Sequence, residues 1–265
     1  MHARKRLSLI LERGTDQRNP EKELDKIYTK ILSESLVESQ EKDDNYELDE
    51  DEDEFIFEVF RRVVGSIIIL FQPLSIDALG SLLGTSASGI QQAAIEDILS
   101  HLLSVLEVPT SSANPIRNLH PSFRDFLLSD NRCRELKLRV NEKHAHRTLV
   151  YRCLRATSNS LRRDICGLRR PGTLLFDVTR SQVEQCIPPE LQYACLYWIQ
   201  HLQKSAILLC DEDKIDQFIR LHLLHWFETL AWLGRTSEAI LALISSEGQI
   251  QVCVVPNIDY SAFGK

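Results

Sequence analysis

Phe60, Val63, Val64, Ile67, Ile68 and Phe71 recur at the spacing of one face of an α-helix, and a stripe of that length must be covered by other elements. The same period returns along most of the chain. Leu24, Ile27, Tyr28, Ile31 and Leu32 predict a helix over residues 21–38 with this stripe turned inward, Asn19 as its cap and Pro20 just ahead of it. Gln72-Pro73 ends the second helix, because the residue before a proline is driven out of the helical region. Ser75 then caps a short helix with Asp77 in its first turn, Leu79, Leu82 and Leu83 facing inward, and Gly84 closing it.

A third helix is expected over 88–103, with Ile90, Ala94, Ile98 and Leu102 inward. Residues 105–108 and 116–119 read as short strands joined by the turn-rich stretch 109–115. A further helix follows, with Leu119, Phe123, Phe126 and Leu127 on one face and Pro121 in its first turn, where a missing N–H costs nothing. Three helices, a hairpin and a closing helix are the order of a winged helix-turn-helix. The second half is helical throughout. A helix over 141–160 carries Ala145, Leu149, Cys153 and Ala156 on one side. Pro171-Gly172 marks a turn, and Ser181 with Glu184 forms the S-x-x-E pattern of a capping box. Pro188-Pro189 opens a helix carrying Leu191, Ala194, Cys195, Trp198, Ile199 and Leu202. Asp211 caps the next, which runs through Ile215, Ile219, His222, Leu223, Trp226, Phe227 and Leu230. Its later turns are apolar on most sides, which predicts a position at the centre of a bundle. Gly234 ends it, and Thr236 or Ser237 caps a last helix through Ile240, Leu241 and Ile244. The fold class is therefore mainly α: a winged helix-turn-helix followed by an α-helical bundle. The expected divisions are an N-terminal helical segment (1–40), an acidic linker (41–54), a winged-helix-like domain (55–135), a helical domain (136–247) and an irregular tail (248–265) in which 252–255 could form a stray strand.

Charge is concentrated rather than spread. Residues 41–54 hold ten acidic residues and one lysine, a net of −9 against −7 for the whole chain, so the remainder is close to neutral. A run of carboxylates like this repels itself and buries almost nothing, which predicts a solvated linker. The seven cysteines, from Cys133 to Cys253, include no C-x-x-C pair, and no run approaches the length of a membrane span. Arg4-Lys5-Arg6 and the following apolar residues stop at Glu12-Arg13, short of a signal-peptide core. Free thiols in a reducing compartment follow, and cytoplasmic localisation is the expectation.

The catalytic and metal signatures fail one by one. There is no G-x-x-x-x-G-K-[ST] phosphate loop and no acidic Mg²⁺ motif after an apolar strand. Cys186, Cys195 and His201 are not at ligand spacing. His222 and His225 lie three apart on an apolar helix, and His144 and His146 cannot share one ligand. No nucleophile elbow accompanies any Ser, His and Asp. The chain is expected to be no enzyme, to carry no cofactor or metal, and to bind no nucleotide alone. Nucleic-acid binding, the alternative a winged helix suggests, is disfavoured: residues 88–103 contain no Lys or Arg and do contain Glu96 and Asp97, while 109–115 are uncharged. Arg162-Arg163 and Arg169-Arg170 form a small basic cluster, the usual character of a solvated face.

His120 sits where the second strand meets the helix Pro121-Ser122-Phe123-Arg124-Asp125-Phe126-Leu127-Leu128. By ordinary capping physics it hydrogen-bonds its own first turn. The motif L-H-P-S-F-R-D-F-L resembles the end of the winged-helix domain in NACHT-type signalling ATPases. Leu24-Asp25-Lys26-Ile27-Tyr28, Phe60-Arg61-Arg62-Val63-Val64-Gly65-Ser66-Ile67, Pro73-Leu74-Ser75, Pro189-Glu190-Leu191-Gln192-Tyr193-Ala194-Cys195-Leu196-Tyr197-Trp198 and Leu223-Leu224-His225-Trp226-Phe227-Glu228 extend the resemblance from about residue 6 to 247. It is to fungal NACHT–WD-repeat proteins of the heterokaryon-incompatibility type, in the STAND class, and to their segment between ATPase core and sensor repeats. The resemblance implies a non-catalytic regulatory module with protein partners or adjoining ATPase and repeat domains. It implies that His120, in the context of a full-length ATPase, touches the phosphates of bound ADP. With no phosphate loop, Trp-Asp dipeptide or blade-length repeat, the chain looks like a fragment or truncated paralogue keeping the regulatory middle. A decayed gene fragment with no selected role is the third reading.

Overall fold

The structure is a computed structural model that describes residues 20–37, 50–84, 92–169, 172–205 and 213–246. Residues 41–49 of the acidic stretch, Asn19, Ile90, Asp211 and the tail 248–265 lie outside the described residues. Among those described, ten α-helices surround one two-stranded hairpin. They are α1 (Pro20–Val37), α2 (Glu50–Ile69), α3 (Ile76–Leu83), α4 (Gln92–Ser100), α5 (Pro121–Leu128), α6 (Glu142–Ser160), α7 (Arg180–Cys186), α8 (Pro189–Lys204), α9 (Asp213–Trp232) and α10 (Thr236–Ser245). Strands β1 (Leu106–Glu107) and β2 (Arg117–Asn118) pair antiparallel between α4 and α5, with Leu106 opposite Asn118 and Glu107 opposite Arg117. Ser75 bridges to Pro115, and the Ile116 N–H donates to the Leu74 carbonyl at 2.9 Å, so the start of α3 is tied to the hairpin.

Helix α2 begins at Glu50, so the last five residues of the acidic stretch 41–54 belong to it rather than to a linker. Acidic residues suit a helix start, where the macrodipole is positive. Glu54 also pairs with Arg61 two turns on, at 2.7 Å. Farther along, Val59, Phe60, Val63, Val64, Ile67, Ile68 and Ile69 are all buried, which is the stripe the sequence shows widened to nearly the full circumference. Gly65 belongs to this close packing: a Cβ there would lie 3.1 Å from a Val140 methyl.

Two expected faces are displaced. On α1 the buried residues are Tyr28, Leu32 and Leu36, while Leu24 and Ile27 are exposed, Ile27 by 52%. The helix docks through a narrow stripe, with the Tyr28 ring 5.3 Å and 5.5 Å from those of Phe123 and Phe126 on α5, and only one line of side chains meets the core. A forked ion pair pins its edge: Arg132 donates to Asp25 at 2.7 Å and 3.0 Å. On α5, Phe123, Phe126 and Leu127 are buried as the spacing predicts, but Leu119 is exposed because it belongs to the strand end ahead of the helix.

The centre of the helical half is the pair α6 and α8, which pack together more extensively than any other two elements and also meet α3. Helix α9 does not hold that place. It buries Ile215, Phe218, Trp226, Thr229 and Leu230 on one side, and leaves Leu224 80% and Leu221 59% exposed on the other. Trp226 fixes the inner face, donating its indole N–H to the Cys195 carbonyl at 2.8 Å and meeting Trp198 edge-on at 5.8 Å. Helix α10 buries Ala239, and Ile240, Leu241 and Ile244 face outward. Buried side chains from Tyr28 to Ala239 form one connected core.

The helix ends show where local signals hold. Ser75 accepts from the Ala78 N–H, and Asn141 accepts from the His144 N–H, as expected of caps. The capping box that opens α7 is Thr179 with Gln182, two residues before the Ser181–Glu184 pattern: Gln182 N–H to Thr179 Oγ1 is 3.3 Å and Thr179 N–H to Gln182 Oε1 is 2.9 Å. Helix α10 starts after Arg235, which makes no side-chain cap bond, so neither Thr236 nor Ser237 caps it. Gly84 closes α3 at φ +69, and its N–H returns to the carbonyls of Gly80 and Ser81. A Cβ at Gly84 would also strike the Arg155 guanidinium. Gly84→Ala should cost about 1–2 kcal/mol from the left-handed backbone alone. Urea unfolding reads the loss, and an unchanged midpoint would show that the turn is not held in this conformation.

Candidate functional site

The junction of β2 and α5 carries the chain's one family-implied site residue. His120 is the N-cap of α5, with extended backbone and Pro121 in the first helical position. Its Nδ1 accepts from the Ser122 backbone N–H at 3.1 Å and lies 2.7 Å from the Ser122 hydroxyl. That hydroxyl is in turn 2.7 Å from the Tyr28 hydroxyl on α1. A nitrogen that accepts a backbone N–H carries no proton, so the proton of the neutral ring is on Nε2. His120 is exposed, which leaves that Nε2–H to solvent beside the positive end of α5. The cap and the outward donor use different nitrogens, so one role does not exclude the other.

A second constellation has no signal in the local sequence. His146 on α6 and His201 on α8 are 1% and 0% exposed, and their Nδ1 atoms meet at 2.7 Å. His201 Nε2 lies 2.7 Å from the Tyr193 hydroxyl, which accepts the Phe71 backbone N–H at 3.3 Å. Burial pushes the Tyr193 hydroxyl up, so it keeps its proton and donates to His201. His201 then donates from Nδ1 to His146 Nδ1, and His146 carries its proton on Nε2. That atom is buried with no hydrogen-bond partner among the described residues, and it points at Glu142 Oε1, 3.9 Å away. The reverse tautomers would face a bare nitrogen to that carboxylate. Burial pushes His146 down to about 4, against a smaller opposing pull from Glu142. Burial, and then His146, push His201 down to about 3. The chain of bonds joins the end of α2 to α6 and α8, and Phe71 lies against it with its ring 4.7 Å from that of His201.

The remaining candidates do not assemble. Cys195 is fully buried, and burial pushes its thiol up, as it does that of Cys153; neither is a thiolate at neutral pH. Cys186 lies near Cys166, whose thiol burial and the Cys186 neighbour raise to about 12, not near His201. The rings of His222 and His225 are 5.7 Å apart, and His222 stacks on Phe218 rather than turning toward a shared ligand. Arg162, Arg163 and Arg169 are exposed, and Arg170 lies outside the described residues. Among the described residues no three His, Cys, Asp or Glu side chains are grouped to hold a metal, and no helix is long and apolar enough to cross a membrane.

No family model matches the chain, and no solved structure does. A curated protein does: the vegetative incompatibility protein HET-E-1 of Podospora anserina is 26% identical over 205 residues, which cover 70% of this chain and 15% of that protein. The chain is distantly related to the NACHT/WD-repeat proteins. It spans about 15% of the length of the relative it matches, so the segment shared is a small part of that protein.

Proposed function

We propose that the chain is a non-catalytic regulatory and interaction module of NACHT-type, NLR-like signalling, acting beside an ATPase core and sensor repeats in the cytoplasm. The observation that carries this reading is the state of His120, an exposed residue whose Nδ1 is consumed as a cap, which leaves Nε2–H as its donor. The order α2, α3, α4, hairpin, α5, with the start of α3 bridged to the hairpin, supports a winged helix as the platform. The distant relation to the incompatibility protein supports the setting. In it, His120 would donate to a phosphate oxygen of ADP held by the adjoining ATPase, helped by the helix terminus. The chain supplies no phosphate loop of its own.

The winged-helix alternative, nucleic-acid binding, is weakened by charge. Helix α4, in the position of a recognition helix, contains Glu96 and Asp97 and no Lys or Arg. A duplex reader there would lack the cations that neutralise phosphates and reach bases. Calorimetric titration of the chain with ADP and ATP should show no binding in the micromolar range. Saturable micromolar binding of either would overturn the reading, because it would demand a complete nucleotide site within this segment.

A further inference from the structure

A groove runs along α6 on a face that neither His120 nor the buried histidine pair uses. A crevice of about 410 Å³ lies between α2 and the start of α6, where Arg61, Arg62 and Arg139 converge. A second, of about 520 Å³, lies between α6 and α9, with Arg152, Arg155 and Lys214 on its wall. Thr148 lines both, so the two adjoin along one face of α6. From residue 141 to residue 158 the groove follows roughly 25 Å of helix.

The cations of this groove fall into two kinds. Arg61 is paired with Glu54 at 2.7 Å and Arg139 with Asp130 at 3.1 Å. Arg62, Arg152 and Arg155 have no carboxylate at ion-pair distance among the described residues, and Glu58 is the one described carboxylate lining either crevice. Arg152 is partly buried near the other two, and its proton is loosened by burial first and then by Arg155 and Arg62. Three like charges near one another in half-buried positions are an unfavourable arrangement that an anionic partner would relieve.

We propose that this groove is a docking site for an acidic peptide segment that also carries apolar side chains. Its length suits an extended strand of about eight residues. Its wall combines cations with apolar surface: Tyr151, Leu154 and Leu221 line it beside Arg152 and Arg155, and Leu221 is 59% exposed. A nucleic acid fits less well. The Tyr151 ring already carries the Lys214 ammonium at 5.3 Å and the Arg147 guanidinium at 5.9 Å, where a base would have to stack. An acidic side chain between the guanidinium groups would make forked, charge-assisted bonds of the type arginine favours.

The probe is a fluorescein-labelled peptide of about eight alternating glutamate and leucine residues, titrated into the full chain by fluorescence anisotropy. Saturable binding is expected. Arg62→Glu and Arg152→Glu should each weaken it by about tenfold or more, and the milder Arg155→Gln should weaken it with an unchanged melting temperature. Arg180→Glu, at an exposed site on α7 paired with Glu184, should leave it as in the wild type. No saturable binding, or an equal loss in the Arg180→Glu variant, would overturn the proposal. So would displacement of the peptide at equal affinity by a single-stranded oligonucleotide of the same charge, which would assign the groove to nucleic acid instead.

Discussion

Lowering the pH from about 7.5 to about 5 should remove roughly 4 kcal/mol of folding stability through His146 and His201 alone. Both imidazoles are held well below their ordinary range, at about 4 and about 3. In the unfolded chain each takes up a proton near 6.5, whereas the folded chain refuses it until far lower pH. Between those limits the unfolded state binds more protons, so stability is complete above about 6.5 and falls as the pH drops toward the folded values. The geometry gives the reason: protonating His146 would set two N–H groups face to face across 2.7 Å, and protonating His201 would turn an N–H onto the Tyr193 hydroxyl that already donates to it, both in a buried site. His222, pushed down by burial and by His225, adds to the slope in the same direction. Glu54, held low by Arg61, titrates below this window. Urea unfolding at a series of pH values gives the slope, and His201→Gln should remove about half of the part due to the pair. Equal slopes in wild type and variant would show that the buried pair does not titrate as described.

That pair shows where sequence reading ends. His146 and His201 are 55 residues apart, on helices whose apolar stripes are plain in the sequence, and each histidine alone looks like an ordinary polar neighbour of a core position. Only the packing of α6 against α8 brings them together. The Arg62, Arg152 and Arg155 group is similar, since its members come from two helices separated by the whole hairpin unit. The helices themselves, the hairpin and the cap at Ser75 were legible, because periodicity and capping are local chemistry.

Misreadings arose where two local signals competed or where the tertiary neighbour decided. Thr179-x-x-Gln182 and Ser181-x-x-Glu184 both fit a capping box. The earlier one wins because a helix from Arg180 buries Val183 and delivers the chain to buried Ile187. Helix α9 is apolar on most sides, but only one side has a partner, so Leu221 and Leu224 stay exposed where a central helix was expected. At His120 the motif identified the residue and its place at the helix start, and the structure adds which nitrogen is occupied and the Tyr28–Ser122 support behind it.

Because the two nitrogens of His120 do different things, two substitutions separate the cap from the proposed switch contact. His120→Asn keeps a side-chain acceptor for the Ser122 N–H, since asparagine is a strong N-cap, but ends short of the position that Nε2 reaches. His120→Ala removes both. In a NACHT protein that carries this segment behind its ATPase core, a donor to an ADP phosphate would exist only in the docked, resting form. Losing it would shift the equilibrium toward the open form. A hydrogen bond to a charged group contributes about 1.5–3 kcal/mol, equivalent to roughly a ten- to hundredfold change in the open fraction. The decisive measurement is the rate of release of a fluorescent ADP analogue, taken alongside the melting temperature of each variant. The account predicts release faster by about that factor in both variants, with the melting temperature lowered in His120→Ala and unchanged in His120→Asn. Release at the wild-type rate in His120→Asn, with only the alanine variant destabilised, would contradict it and leave His120 as a helix cap alone.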